Sequence, residues 1–165
     1  MEKFDYKYFA SPLGDIEIKY NSDFILHVLF MKEGLNRMKE NEGETGITNA
    51  INKQLKEYFN GELKCFDLPL QYAGTDFQKK VWTELRKIDF GKTISYLQMA
   101  KKLGDIKCIR AAASANGKNP FAIIVPCHRV IGSNGSLTGY AGGLWRKQWL
   151  LDHEAKAEGR FQKLF

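Results

Sequence analysis

Near residue 74 the chain changes its hydrophobic period, and this change narrows the folds open to it. Across 4–31 the pattern alternates: Phe4, Tyr6 and Tyr8 share one face of a strand. Pro12-Leu13-Gly14-Asp15 then turns the chain into Ile16, Ile18 and Tyr20, and Asn21-Ser22-Asp23 turns it again into 24–31. Period-two patterning broken by turn residues predicts a small antiparallel meander. After Tyr72-Ala73-Gly74, the tetrad Thr75-Asp76-Phe77-Gln78 reads as a capping box, and Val81, Trp82, Leu85 and Ile88 recur at helical spacing. The expected architecture is therefore α/β with two domains: a small α/β domain over 1–74 and a mostly helical domain over 75–165.

Within the first domain, 32–47 is rich in Gly, Glu, Lys and Asn and reads as a loop with a short helical piece. Thr48 is expected to cap a helix carrying Ile51, Leu55, Tyr58 and Phe59, which Asn60-Gly61 ends. In the second domain Ser95 caps a helix over 96–103 and Gly104-Asp105 breaks it. A further helix runs from about Lys107 to Gly117, giving two short helices joined by a tight turn, the helix-turn-helix pattern. Segment 121–125 reads as a short buried strand, 133–136 as a turn, and Leu144, Trp145, Trp149 and Leu151 as the apolar face of a last helix.

Charge follows the same division. Residues 1–75 hold 9 Lys/Arg against 12 Asp/Glu, and residues 76–165 hold 16 against 7, so the balances are −3 and +9. Cationic side chains neutralise phosphates and release their counterions, so a basic module beside an acidic one points to nucleic acid as the second domain's partner. The longest apolar stretch, 24–31, is interrupted by His27 and cannot span a bilayer, and the N-terminus lacks a basic-then-apolar leader. Cys65, Cys108 and Cys127 are odd in number, form no CxxC pair and fit reduced thiols. A globular cytoplasmic protein with no membrane partner is expected.

Two stretches carry candidate chemistry. Ala111, Ala112, Ala113, Ser114 and Ala115 follow Arg110 with almost no side-chain bulk, which suits either close approach of a helix backbone to a groove or tight helix packing. Ile124-Val125-Pro126-Cys127-His128-Arg129-Val130 places a thiol where an apolar strand meets a loop, next to two potentially cationic groups. An isolated thiol has a pKa near ~8.5 and is only a few per cent thiolate at neutral pH, so such neighbours govern its reactivity. On an extended chain, adjacent residues point opposite ways, and contact between Cys127 and His128 requires a turn.

Pro126-Cys127-His128-Arg129-Val130, with Gly139-Tyr140-Ala141-Gly142-Gly143 and Leu150-Leu151-Asp152-His153-Glu154, closely resembles the O6-alkylguanine-DNA alkyltransferase family. The likeness extends through Phe77-Gln78-Lys79-Lys80-Val81-Trp82, Ile94-Ser95-Tyr96 and 110–120, and so covers 75–155. It implies a ribonuclease H-like first domain, a winged helix-turn-helix in the second, and direct-reversal DNA repair. The alkyl group of O6-alkylguanine moves irreversibly to the protein's own cysteine in a single turnover, with O4-alkylthymine as a second candidate substrate.

By this resemblance Cys127 is the nucleophile, His128 the base that reaches it through a water, and Glu154 the carboxylate that orients the histidine. Tyr96 crowds the 3′ phosphate and hydrogen-bonds the purine as charge develops on the leaving base. Arg110 fills the space left by a nucleotide flipped from double-stranded DNA, the helix entering the minor groove, with Ser95 and Ala111 on the same DNA-binding surface. Asn119 ties the recognition helix to the active-site turn, and Arg129 pairs with a carboxylate to hold the domains together. The Val130 carbonyl and the segment Tyr140-Ala141 line the guanine pocket and discriminate by hydrogen bonds.

No cofactor is expected, and because no strong self-association segment is visible a monomer is expected. Some family members bind zinc through Cys and His in the first domain, but residues 1–75 offer only Cys65 and His27, so no metal is expected. The family's usual glycine pair after the arginine reads Ala113-Ser114 here. Two other readings compete with this one. A damage-recognition protein of the alkyltransferase-like kind carries another residue, often Trp, where this chain has Cys127. A cysteine hydrolase or transferase using Cys127 and His128 on a small molecule leaves the basic second half without a purpose.

Overall fold

A computed structural model of the chain describes residues 2–160. It divides into two compact units, one comprising the chain up to Ala73 with Pro120–Ala122, the other Gly74–Asn119 with the chain from Ile123 onward.

The first unit is built on the meander β1 (Asp5–Ser11), β2 (Gly14–Tyr20) and β3 (Ile25–Phe30), antiparallel and in the order β1-β2-β3. Register decides which aromatic residues enter the core. Tyr6 and Tyr8 lie opposite Lys19 and Glu17, whereas Phe9 lies opposite Ile16. The tyrosines therefore occupy the face away from buried Ile16, Ile18 and Tyr20. That outer face is covered by the loop after β3: the Met38 N–H donates to the Tyr8 hydroxyl at 2.7 Å and Arg37 stacks over the Tyr8 ring. The loop is irregular, without the short helical piece expected, because its polar side chains bond to the sheet instead of to a helix of their own.

A register shift at Lys19/Tyr20 leaves Leu26 unpaired, so Ile25 and Val28 both face the core in spite of their odd spacing. The far edge of β3 is closed by parallel bridges to Leu70 and Phe121. Helix α1 (Gly46–Phe59) covers the core face with Ile51, Leu55 and Tyr58, and Phe59 stacks on Phe9. Each such fully buried aliphatic side chain contributes about 1.5–3 kcal/mol. The cap is Thr45, not Thr48: Thr48 is the N3 partner of a reciprocal capping box and is itself buried.

In the second unit, α2 (Asp76–Leu85) opens on the capping box of Thr75 and Gln78, and its Trp82 indole N–H donates to the Ala115 carbonyl at 2.9 Å. Strand β4 (Ile94–Ser95) leads into α3 (Tyr96–Lys102), capped by Ser95 with Gln98. Gly104, at φ 93, makes the turn that a side chain would resist. The second helix is shorter than expected. Asp105 caps a 3-10 turn over Ile106–Cys108, and α4 runs only over Ile109–Gly117. Helix α4 buries Ala112, Ala115 and Asn116 and exposes Arg110, Ala111 and Ser114. Its small residues thus serve packing on one face and leave a low surface on the other.

The strand expected at 121–125 is not formed. Phe121 makes a single bridge to Val28, and the chain then turns through 122–124, with Ile123 at φ 70. A β-branched residue with positive φ is strained, and a conformation of this kind costs roughly 1–3 kcal/mol. Strand β5 (Val130–Ile131) pairs in parallel with β4. Helix α5 (Leu144–Ala157) does not bury the apolar face read from the sequence: Leu144 and Trp145 are exposed, and the buried positions are Lys147, Leu150 and Glu154. Charged residues face inward here because each meets specific partners inside the unit.

Candidate active site

Cys127 opens a 3-10 turn, Cys127–Arg129, in place of the strand end expected. The tight turn follows from Pro126, which cannot donate to a ladder, and from the Cys127 N–H bonding back to the Val125 carbonyl at 2.8 Å. It places three consecutive polar side chains in the interior: Cys127 at 7%, His128 at 0% and Arg129 at 6% exposure. An inward-facing run of this kind is stable only with partners.

Glu154, on the buried face of α5, supplies them. One carboxylate oxygen accepts from Arg129 Nε at 2.7 Å and from the Gly91 N–H at 3.0 Å, and the other meets His128 Nε2. Arg129 Nη1 donates to the Ile88 carbonyl at 2.7 Å. Burial opposes ionisation of Glu154, but His128 and the Arg129 guanidinium outweigh it and hold the carboxyl well below the usual carboxylate range. The expected partner of Arg129 is present, yet both groups belong to the second unit, so the pair braces that unit's interior.

Burial lowers the His128 pKa, with Glu154 pulling it back up. An ionised Glu154 only accepts, so the neutral imidazole carries its proton on Nε2 and leaves Nδ1 as an acceptor. Nδ1 is buried and has no hydrogen-bond partner among the described residues, Cys127 included.

Burial pushes the Cys127 thiol up, while the Asn119 amide, the Lys147 charge and the thiol's own peptide N–H pull it back. The Asn119 Nδ2 also donates to the Val125 carbonyl at 2.7 Å and Asn116 Nδ2 to the Cys127 carbonyl at 3.4 Å, so both flanks of the thiol are tied to the end of α4. Lys147 is fully buried, its Nζ on the carbonyls of Thr138 at 3.2 Å and Gly139 at 3.4 Å. Burial lowers the Lys147 pKa and Cys127 raises it. Tyr96, at the start of α3, donates its hydroxyl to the same Thr138 carbonyl at 3.1 Å, and burial raises its pKa. The strap 138–143 is thus fastened by Tyr96 and Lys147 together. Burial raises the Tyr140 phenol well above its ordinary value, with nearby Cys127 adding to the shift.

The structure therefore brings Cys127, His128, Glu154, Arg129, Asn119, Tyr96 and Tyr140 into one neighbourhood. Val130 is buried at the head of β5, Ala141 lies exposed on the strap, and Ser95 is engaged in capping α3. Arg110 and Ala111 stand on the exposed face of α4, outside this network. Sequence reasoning missed Lys147 and Asn116. Lys147 lies seven residues before Glu154, two helical turns along one face, a spacing that could have flagged it.

Two family models match the chain: the 6-O-methylguanine DNA methyltransferase ribonuclease-like domain over residues 5–72, and the DNA binding domain of the same family over 76–156. This chain belongs to the 6-O-methylguanine DNA methyltransferase family. A methylated-DNA–protein-cysteine methyltransferase of Methanosarcina acetivorans is 45% identical over 154 residues, covering 90% of this chain and 97% of that protein. One from Shigella flexneri is 43% identical, covering 88% and 92%. The crystal structure of Mycobacterium tuberculosis OGT in complex with DNA superposes with a TM-score of 0.82 at 39% identity, covering 92% of this chain and 93% of that one. Its mixed α/β fold, with a small sheet domain before a helical one, agrees with the family. No helix among the described residues is long and apolar enough to cross a membrane.

Proposed function

We propose that this family member repairs double-stranded DNA by moving the alkyl group of O6-alkylguanine onto Cys127, once per molecule. The observation that carries the assignment is the buried thiol set against Asn119 and Lys147, with a correctly polarised His128–Glu154 pair behind it. His128 Nδ1, an acceptor without a protein partner, takes the thiol proton through a water. The Sγ–carbon bond forms as the carbon–O6 bond breaks, its electron pair passes to the guanine, and a proton returns to the base. Thiol and alkylguanine become thioether and guanine, with no further reactant. A thioether is not reduced by thiol exchange, so the protein is consumed.

On this reading the Tyr96 hydroxyl would offset charge on the departing guanine. The exposed Arg110, Ala111 and Ser114 form the low, basic-edged surface that would enter the minor groove and hold the duplex open behind a flipped nucleotide. On the same reading Val130 and the segment Tyr140-Ala141 would line the pocket that reads the base. The same reading makes the protein a cytoplasmic monomer, since one reduced thiol of one chain completes the reaction.

Incubation with an oligonucleotide duplex containing O6-methylguanine, followed by intact mass and peptide mapping, tests the assignment. One added methyl per molecule on Cys127, absent from Cys127→Ala, is expected. Tight binding of the lesion without a mass change would replace it with damage recognition alone.

A further inference from the structure

Asn116 is buried, at 5% exposure, on the face of α4 that also buries Ala112 and Ala115. Its neighbours fix which way the amide faces. Nδ2 donates to the Cys127 carbonyl at 3.4 Å, and the same amide stands against the Tyr96 hydroxyl, tempering the rise that burial gives that phenol's pKa. Exchanging the amide oxygen and nitrogen would set two acceptors against each other at the Cys127 carbonyl, so the donor belongs there and the oxygen faces elsewhere. That oxygen, Oδ1, is buried and meets no hydrogen-bond partner among the described residues. Tyr96 does not serve it, because the phenol hydrogen goes to the Thr138 carbonyl.

An unpaired amide oxygen inside a protein is costly, and beside a reactive thiol the group that completes it is a donor on the substrate. O6-alkylguanine has few to offer. With an alkyl group on O6 its N1 carries no hydrogen, N3 and N7 are acceptors, and the exocyclic 2-amino group is the base's only N–H donor. A phenol donor beside an amide acceptor is complementary to a ring nitrogen beside that amino group. Adenine carries no donor at the same carbon.

We propose that Asn116 is a specificity-determining residue whose Oδ1 accepts a hydrogen bond from the 2-amino group of the flipped O6-alkylguanine. This rests on the reading of Cys127 as the alkyl acceptor. It gives the two faces of α4 separate duties, Arg110 on the exposed side toward the duplex and Asn116 on the buried side toward the base.

The test compares single-turnover rates at subsaturating duplex for wild type, Asn116→Ala and Asn116→Leu, on one sequence carrying either O6-methylguanine or O6-methylhypoxanthine, the same base without its 2-amino group. The wild type should favour the guanine lesion, and each variant should lower that preference about three- to tenfold, the scale of one hydrogen bond, by losing rate on the guanine lesion. Because the readout is a ratio on one protein, a general loss of activity or folded fraction cancels, and Leu keeps the shape of the side chain if Ala disturbs the turn. Equal slowing on both lesions would make Asn116 a brace for the Cys127 turn and overturn the proposal, as would unchanged rates on both. A wild type that does not distinguish the two lesions would overturn it without any variant. Failure of the wild type to transfer from either lesion would instead overturn the acceptor reading of Cys127.

Discussion

Replacing Glu154 with Gln separates the two duties of that carboxylate. Its Oε1 accepts from Arg129 Nε at 2.7 Å and from the Gly91 N–H at 3.0 Å, so the amide oxygen of Gln must stay on that side and its NH2 must face His128. A donor opposite Nε2 forces the imidazole proton onto Nδ1, and the nitrogen assigned as base can no longer accept. General-base contributions of about 10²–10⁴ set the expected fall in transfer rate at about 10²-fold or more. Stability falls as well, because Arg129, at 6% exposure, is left as a buried cation facing a neutral group. Loss of one partner of a buried ion pair costs about 3–5 kcal/mol, and the retained amide oxygen places this variant near the lower end. Rapid-quench methyl transfer from a duplex, run where urea denaturation shows the variant folded, reads the two effects apart. A folded variant transferring within about threefold of the wild-type rate would refute the tautomer argument.

Other consequences are as direct. The folded-state pKa of His128 lies below its ordinary 6.5, so between the two values the unfolded chain binds a proton that the folded chain does not. Stability should therefore decline as pH drops below about 6.5, with the depressed Glu154 adding to the loss below its ordinary 4.5. The transfer rate should hold its plateau to below pH 6.5, and an inflection above that value would show an imidazole that is not depressed. Lys147→Met should shift the pH dependence of Cys127 alkylation by a small electrophile upward and lower stability by about 1.5–3 kcal/mol, the worth of a charged hydrogen bond; an unshifted profile would deny the lysine any hold on the thiolate. Arg110→Ala should weaken duplex binding and reduce the salt slope by about one without altering reaction of Cys127 with a small electrophile; unchanged DNA affinity would remove α4 from the interface. Tyr20→Phe should leave the urea midpoint unchanged or raise it, because the buried hydroxyl has no hydrogen-bond partner among the described residues; a loss above about 1 kcal/mol would reveal one.

Local signals in this chain carried far. Alternation in 4–31, the boxes Thr75–Gln78 and Ser95–Gln98, and the breaker Gly104 are interactions within four residues, and backbone preference alone is enough to read them. The motif around Cys127 likewise singled out a thiol flanked by His128 and Arg129, which the structure buries together. What stayed hidden depended on contacts across long separations. Tyr6 and Tyr8 turn outward because register, not composition, assigns the face, and the loop at 36–40 then covers them. Segment 121–125 has the residues of a strand but is bent at Ile123, its pairing limited to the bridge at Phe121. Helix α5 seemed to offer Leu144 and Trp145 to a core, yet buries Lys147 and Glu154, since carbonyls of the strap and the His128–Arg129 pair pay for their desolvation. The sequence by itself determined the meander, most of the helices with the capping boxes of α2 and α3, and the division into two units, all set by short-range patterning. Only the tertiary structure decided which charges could be buried, and with them the proton position on His128 and the surroundings of the thiol, because desolvation and partner geometry exist only once distant residues meet.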